Sequence, residues 1–150
     1  MPTFTFNIYG KEKLTTSLGA MANSFPQRML PEMKNQMVRL ADYVRANKLS
    51  GQVLNRRSGA LSRAVTGQAE VSGTTVVGTV GTSGIPYAGI HEFGADFSRA
   101  VTMAWGRPII PVMAIFHYPE RSFLRSSSKE QEDVIMNALR DTAIEVLRAT

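Results

Sequence analysis

Ala69-Glu70-Val71-Ser72-Gly73-Thr74-Thr75-Val76-Val77-Gly78-Thr79-Val80-Gly81 changes the periodicity of the chain from helical to strand-like. Between residues 56 and 84, Ala69, Val71, Thr74, Val76, Thr79 and Val80 are interleaved with small or polar residues, which is strand periodicity. Ser72-Gly73 supplies a turn in the middle, so the segment reads as a β-hairpin. Gly78, Gly81 and Gly84 remove side chains that a free-standing sheet would pack, and the hairpin therefore needs support from helices or from a neighbouring chain. These glycines do not form a phosphate loop, because neither a Gly-Lys-Ser/Thr ending nor a dinucleotide spacing follows them.

Upstream, Thr3-Phe4-Thr5-Phe6-Asn7-Ile8-Tyr9 alternates polar and apolar residues and halts at Gly10, the mark of a strand with one buried face. Residues 11–25 carry Leu14, Leu18 and Met21 at helical spacing and read as a short helix or a loop. Pro31 suits the first position of a longer helix, along which Met33, Met37, Leu40, Ala41 and Val44 recur at three- and four-residue steps. Lys48 and Gly51 close that helix, and Lys34, Arg39 and Arg45 fall on its polar face. The methionine-rich stripe reads as adaptable core filler.

Downstream of the hairpin, Ile85-Pro86 opens a two-turn helix over residues 87–93, stopped by Gly94 as a C-cap. Residues 95–107 read as a long connection with Trp105-Gly106 at its end. Ile109-Ile110-Pro111-Val112-Met113-Ala114-Ile115-Phe116 follows as a strand, in which Pro111 favours an edge or a bulge. Ser127 with Glu130 fits a capping box, and Ile135, Leu139, Thr142, Ala143 and Val146 make the buried stripe of an amphipathic helix covering one face of a sheet. The expected fold is α+β, in one domain spanning residues 1–150. A small, mainly antiparallel sheet packs against a long helix from the N-terminal half and a C-terminal amphipathic helix, with a long central loop.

Composition narrows the function. A chain of 150 residues is long enough to bury a core without disulfides. The absence of cysteine excludes a disulfide framework, thiolate metal sites and a cysteine nucleophile. No apolar run approaches the roughly 20 residues of a membrane span, and the N-terminus lacks the layout of a signal peptide, so the expectation is a soluble chain made in the cytoplasm without membrane contact. The net charge of +5 is concentrated between Arg28 and Arg63, where Lys34, Arg39, Arg45, Lys48, Arg56 and Arg57 face only Glu32 and Asp42. Such a segment attracts nucleic acid, phosphate groups or an acidic protein through the same long-range field.

Candidate chemistry centres on Tyr87-Ala88-Gly89-Ile90-His91-Glu92-Phe93-Gly94 and Pro119-Glu120-Arg121-Ser122-Phe123-Leu124-Arg125, where charged, aromatic and glycine residues crowd two short segments. The two histidines, His91 and His117, lack the spacing that puts two zinc ligands on one helical face. Side chains at successive helical positions point about a hundred degrees apart, so His91 and Glu92 do not orient one another for general-base work. The plainer reading makes both exposed polar positions, pairing with another subunit or with an arginine such as Arg57 or Arg121. No serine sits in a nucleophile elbow, and no carboxylate pair is arranged for glycoside hydrolysis. Neither catalytic nor metal-binding nor cofactor-binding residues are expected.

The succession Arg57-Ser58-Gly59-Ala60-Leu61-Ser62-Arg63-Ala64-Val65, Val77-Gly78-Thr79-Val80-Gly81 leading into Tyr87-Ala88 and His91-Glu92-Phe93-Gly94, then Arg121-Ser122-Phe123-Leu124-Arg125 before a final helix resembles the tail-completion, or neck, proteins of tailed bacteriophages. These include the virion-morphogenesis proteins of Mu-type phages and the lambda-type minor tail protein Z. The resemblance implies a non-catalytic α+β virion subunit, assembled in the host cytoplasm as a six-fold ring at the head-proximal end of the tail. Implied partners are copies of itself, tail terminator or tail tube proteins and head-closure or connector proteins, with passive contact to DNA in the lumen. The resemblance maps the family's blocks onto Tyr87, Ala88, Glu92, Phe93 and Gly94 and onto Pro119, Phe123 and Leu124, and together with the polar pairing above the expected interface positions are Arg57, Tyr87, His91, Glu92, Phe93, Gly94, Arg121, Phe123 and Leu124. The chain departs from the family pattern at Ser58, where threonine is common, and in the length of its 95–107 connection. The competing classes are a basic nucleic-acid-binding module and a small hydrolase using His91 and Glu92.

Overall fold

The computed structural model describes residues 4–7, 19–51, 53–54, 59–104 and 106–148. In chain order it contains β1 (Phe4–Asn7), α1 (Gly19–Asn47), α2 (Ala60–Ala64), β2 (Val65–Ser72), β3 (Thr75–Thr82), α3 (Ala88–Phe93), β4 (Ala95–Ala104), β5 (Arg107–Tyr118) and α4 (Leu124–Arg148). The fold is α+β. The expected hairpin is β2–β3, with Ser72 paired to Thr75 and Gly73 at φ 60 in the turn. It forms a three-stranded antiparallel sheet in the order β1-β3-β2, and β4–β5 forms a separate two-stranded sheet.

Along β3, Val76, Gly78, Val80 and Thr82 face inward and alternate with half-buried residues, and α1 packs across this face on β2 and β3. Glycine permits the approach at two points. A Cβ at Gly67 would meet the Met37 carbonyl oxygen at 2.1 Å, and one at Gly78 would meet the Met33 and Met37 sulfurs at 2.7 Å. The helix contributes Met29, Met33, Met37, Leu40, Ala41 and Val44 to the core, which includes every apolar position expected of its stripe. On its other side α1 packs against α4, whose Ile135 and Leu139 are buried and whose Ala143 and Val146 lie against the core. α4 thus sits mainly on α1 and meets the sheet chiefly at β1.

Four expectations need correction. First, α1 begins at Gly19, so Pro26 and Pro31 lie inside it and Pro31 is not its first residue. An interior proline costs roughly 3 kcal/mol, but Phe25 and Met29 extend the buried stripe upstream, and their burial offsets that cost. Met21 belongs to α1, whereas Leu14 and Leu18 lie outside the described residues. Second, the 95–107 connection is no loop, because residues 95–104 pair with β5 as β4. Third, Ser127 is no cap. It lies inside α4, fully buried, with its hydroxyl donating to the Phe123 carbonyl at 2.7 Å. Fourth, Glu130 accepts from Lys48 Nζ at 2.6 Å and from the Tyr43 hydroxyl at 2.8 Å, tying α4 to α1 in place of closing a capping box. These donors lower the pKa of Glu130, and the carboxylate in turn raises that of Tyr43.

Candidate interaction site at the junction of α3 and α4

The local sequence explains why α3 stops where it does. Ile85 precedes Pro86, the Ala88 amide donates to the Ile85 carbonyl at 3.1 Å, and the short helix ends at Gly94 with φ 70 and ψ 170. A Cβ at Gly94 would lie 2.9 Å from the Tyr118 carbonyl oxygen, so the residue lets the end of α3 press against the chain that leaves β5.

Glu92, on the inner side of α3, has no solvent exposure. Its Oε1 accepts from the Ser122 hydroxyl and the Arg125 amide, both at 2.8 Å, and its Oε2 accepts from the amides of Phe123 and Leu124, both at 2.9 Å. These amides belong to the start of α4, where the first N–H groups of a helix have no intrahelical acceptor and the macrodipole favours negative charge. A single side chain from another element therefore caps the helix with charge-assisted hydrogen bonds. The sequence at the start of α4 explains the need. Ser122 accepts from the Ser126 amide at 3.2 Å, but Arg125 stands three residues after it, where a capping box would place glutamate or glutamine. Glu92, 30 residues upstream of Ser122, supplies the missing carboxylate.

A second tie runs from the Arg121 amide to the His91 carbonyl at 2.8 Å. The His91 ring is half-buried and meets Tyr87 edge to face at 5.8 Å. Burial lowers its pKa, and the positive charge of Arg121 lowers it further. Outside the junction the Arg125 guanidinium lies 5.5 Å from the centre of the Phe93 ring and also pairs with Glu120.

The structure brings together Tyr87, His91, Glu92, Phe93, Gly94, Arg121, Phe123 and Leu124, whereas Arg57 lies outside the described residues. It also divides them. Phe123 and Leu124 are core, Tyr87, Phe93 and Arg121 are exposed, and Glu92 is internal. The expectation that Glu92 is an exposed position is overturned, because it is buried and its four hydrogen bonds come from residues 122–125 of its own chain. Sequence reasoning missed Ser122 and Arg125 as site residues; the signal was the serine three residues before an arginine that cannot complete its cap. It also missed the exposed face of β4–β5.

An open groove beside α3 is lined by Thr82, Ile85, Pro86, Ile90, Phe93 and neighbouring glycines, with no acid or base among its walls. Among the described residues no cluster of His, Asp and Glu is placed to hold a metal ion, and no helix is long and apolar enough to cross a membrane. The basic segment is partly neutralised. Arg45 pairs with Asp42 and donates to the Ser62 and Val65 carbonyls, and Lys48 pairs with Glu130.

No family model matches this chain, and neither curated proteins nor solved structures yield a match.

Proposed function

We propose that this chain is a structural subunit of a tailed-phage virion, of the tail-completion or neck kind, that assembles with copies of itself as a ring at the head-proximal end of the tail. The reading starts from the ordered blocks around Gly59, Tyr87–Gly94 and Arg121–Arg125. The observation that carries it is the β4–β5 hairpin: Phe97, Val112 and Tyr118 on one face and Met113 and Ile115 on the other are all exposed, and the hairpin makes no more than isolated contacts with any other described element. A two-stranded sheet is marginal by itself in water, and apolar side chains exposed on both of its faces belong against other molecules.

The junction supports an assembly role over hydrolysis, since both Glu92 oxygens are committed to α4 and neither is free to activate a water with His91. The pairing of Arg45 and Lys48 weakens the case for a basic nucleic-acid module. Tail terminator or tube proteins on one side and head-closure proteins on the other are the partners of such a ring, with DNA passing through its lumen.

The test is genetic and structural. Interrupting the gene in a phage that encodes this chain is expected to leave filled heads and tails that do not join, and the chain is expected in purified wild-type particles by mass spectrometry. Normal, infectious particles lacking the chain would overturn the reading.

A further inference from the structure

We propose that the β4–β5 hairpin is an arm held at one fixed angle to the body before any partner arrives, and that Arg125 is the positioning residue that fixes the angle. That the arm docks on other molecules rests on the reading above, whereas its angle is a property of the isolated chain.

The hairpin is an insertion between α3 and α4. The chain leaves the body at Gly94, runs out along β4 and returns along β5 to Tyr118, which pairs with Ala95 as the last rung of the ladder. Both flanking elements are anchored. Ala88 of α3 and Phe123 and Leu124 at the start of α4 are buried, and Glu92 joins the two helices. The arm makes no more than isolated contacts with any other described element, so its direction is decided at its base.

Two strand ends about 5 Å apart attach the arm along a single line, and two attachments leave one freedom, a swing about that line. The backbone contacts at the base run between the two connections and do not oppose that swing. The Arg121 amide donates to the His91 carbonyl at 2.8 Å, and a Cβ at Gly94 would lie 2.9 Å from the Tyr118 carbonyl oxygen and 3.0 Å from the Glu120 nitrogen. Arg125 works from the body. Its amide is bonded to Glu92, and its guanidinium lies 5.5 Å from the centre of the Phe93 ring on the outgoing side while pairing with Glu120 on the returning side. A swing of the arm pulls Glu120 away from a guanidinium held against α3. Each contact is weak by itself at an exposed site, but together they oppose only one rotation, and one planar group serves both. A fixed angle presents the apolar faces in one direction and lowers the ordering cost of docking.

The chain contains no cysteine, so spin labels attach only at introduced thiols. Ile110→Cys on the arm and Asn137→Cys on α4, both exposed positions, carry the labels. The labelled chain is diluted with unlabelled chain, and pulsed electron paramagnetic resonance reads the distance within one molecule. Eight residue steps separate Ile110 from Tyr118, about 27 Å of strand, so a swing of about 15° at the base moves the label by about 7 Å. The expected result is one narrow distance distribution that roughly doubles in width in Arg125→Ala, with Tm nearly unchanged. Arg125→Lys, which keeps the pair with Glu120 but not the planar stack on Phe93, is expected between the two. A distribution already broad in the parent chain overturns the fixed angle. An equally narrow one in Arg125→Ala overturns the role of Arg125 and assigns the angle to the backbone contacts at Gly94 and Arg121. Broadening with a large fall in Tm would mean that the base has melted, and would likewise overturn a positioning role. The presence of the chain in virions tests the neck reading separately.

Discussion

At Glu92 four donors converge on two oxygens in a site without water access, so charge and shape can be separated by substitution. Glu92→Gln keeps the volume but removes the negative charge and aims amide N–H groups at backbone N–H groups. The expected loss is roughly 2–3 kcal/mol of unfolding free energy, measured by urea denaturation, because charge-assisted bonds to buried groups carry that much. A loss below about 0.5 kcal/mol would mean that the cap contributes little. His91 gives a pH signature. In the unfolded chain its imidazole titrates near the ordinary 6.5, and burial together with Arg121 lowers that value in the folded state. Between the two values the unfolded chain binds the proton and the folded chain does not, so stability falls as pH drops below about 6.5. Replacing His91 with Asn is expected to flatten the dependence of Tm on pH between about 7 and 5. An unchanged slope would assign the dependence to other groups.

For the elements, the approach of α1 to the sheet orders two glycine substitutions. At Gly67 the added methyl meets backbone, the Met37 carbonyl, which cannot turn aside without moving the helix. At Gly78 it meets the sulfur ends of Met33 and Met37, which have rotamers to spare. Gly67→Ala is expected to destabilise by roughly 2–3 kcal/mol and Gly78→Ala by about 1 kcal/mol; the reverse order in thermal or urea melts would show that α1 is not seated on β2 as described. The beginning of α4 allows a similar comparison. If Ser127 were its cap, Ser127→Ala would cost about 1 kcal/mol or more. As an interior residue bonded to the Phe123 carbonyl, it is expected to change unfolding free energy by less, roughly 0.5 kcal/mol, since alanine recovers helix propensity.

On the scale of the whole molecule, the body and the hairpin obey different accounts. The body has one core, running from Met29 through Val80 to Leu139. The β4–β5 hairpin stands outside it, ordered by its own ladder and by the stacking of Phe97 on Phe116 and Tyr118. Combining Ile110→Asp with Val112→Asp is therefore expected to leave the Tm of the isolated subunit nearly unchanged while abolishing self-association, read by light scattering. A large fall in Tm would place these side chains in a core of the subunit itself.

Features that depend on neighbours along the chain were legible in the residues alone. The β2–β3 hairpin followed from alternation and Ser72-Gly73, the length of α3 from Pro86 and Gly94, and the buried stripe of α1 from its methionines and leucines. Pro111, read as an edge or bulge residue, lies in β5 within the segment where the pairing with β4 shifts between Val101 and Met103. Long-range pairing decided the rest. Arg99 and Ala100 obscure the alternation of residues 95–104, and only the ladder with β5 makes them a strand. Pro31 carries a local start signal that the burial of Phe25 and Met29 overrides. Ser127 and Glu130 match a cap by spacing, yet the true cap comes from Glu92, because the energy of unpaired helix N–H groups depends on which carboxylate lies near them in space and not on its distance along the chain.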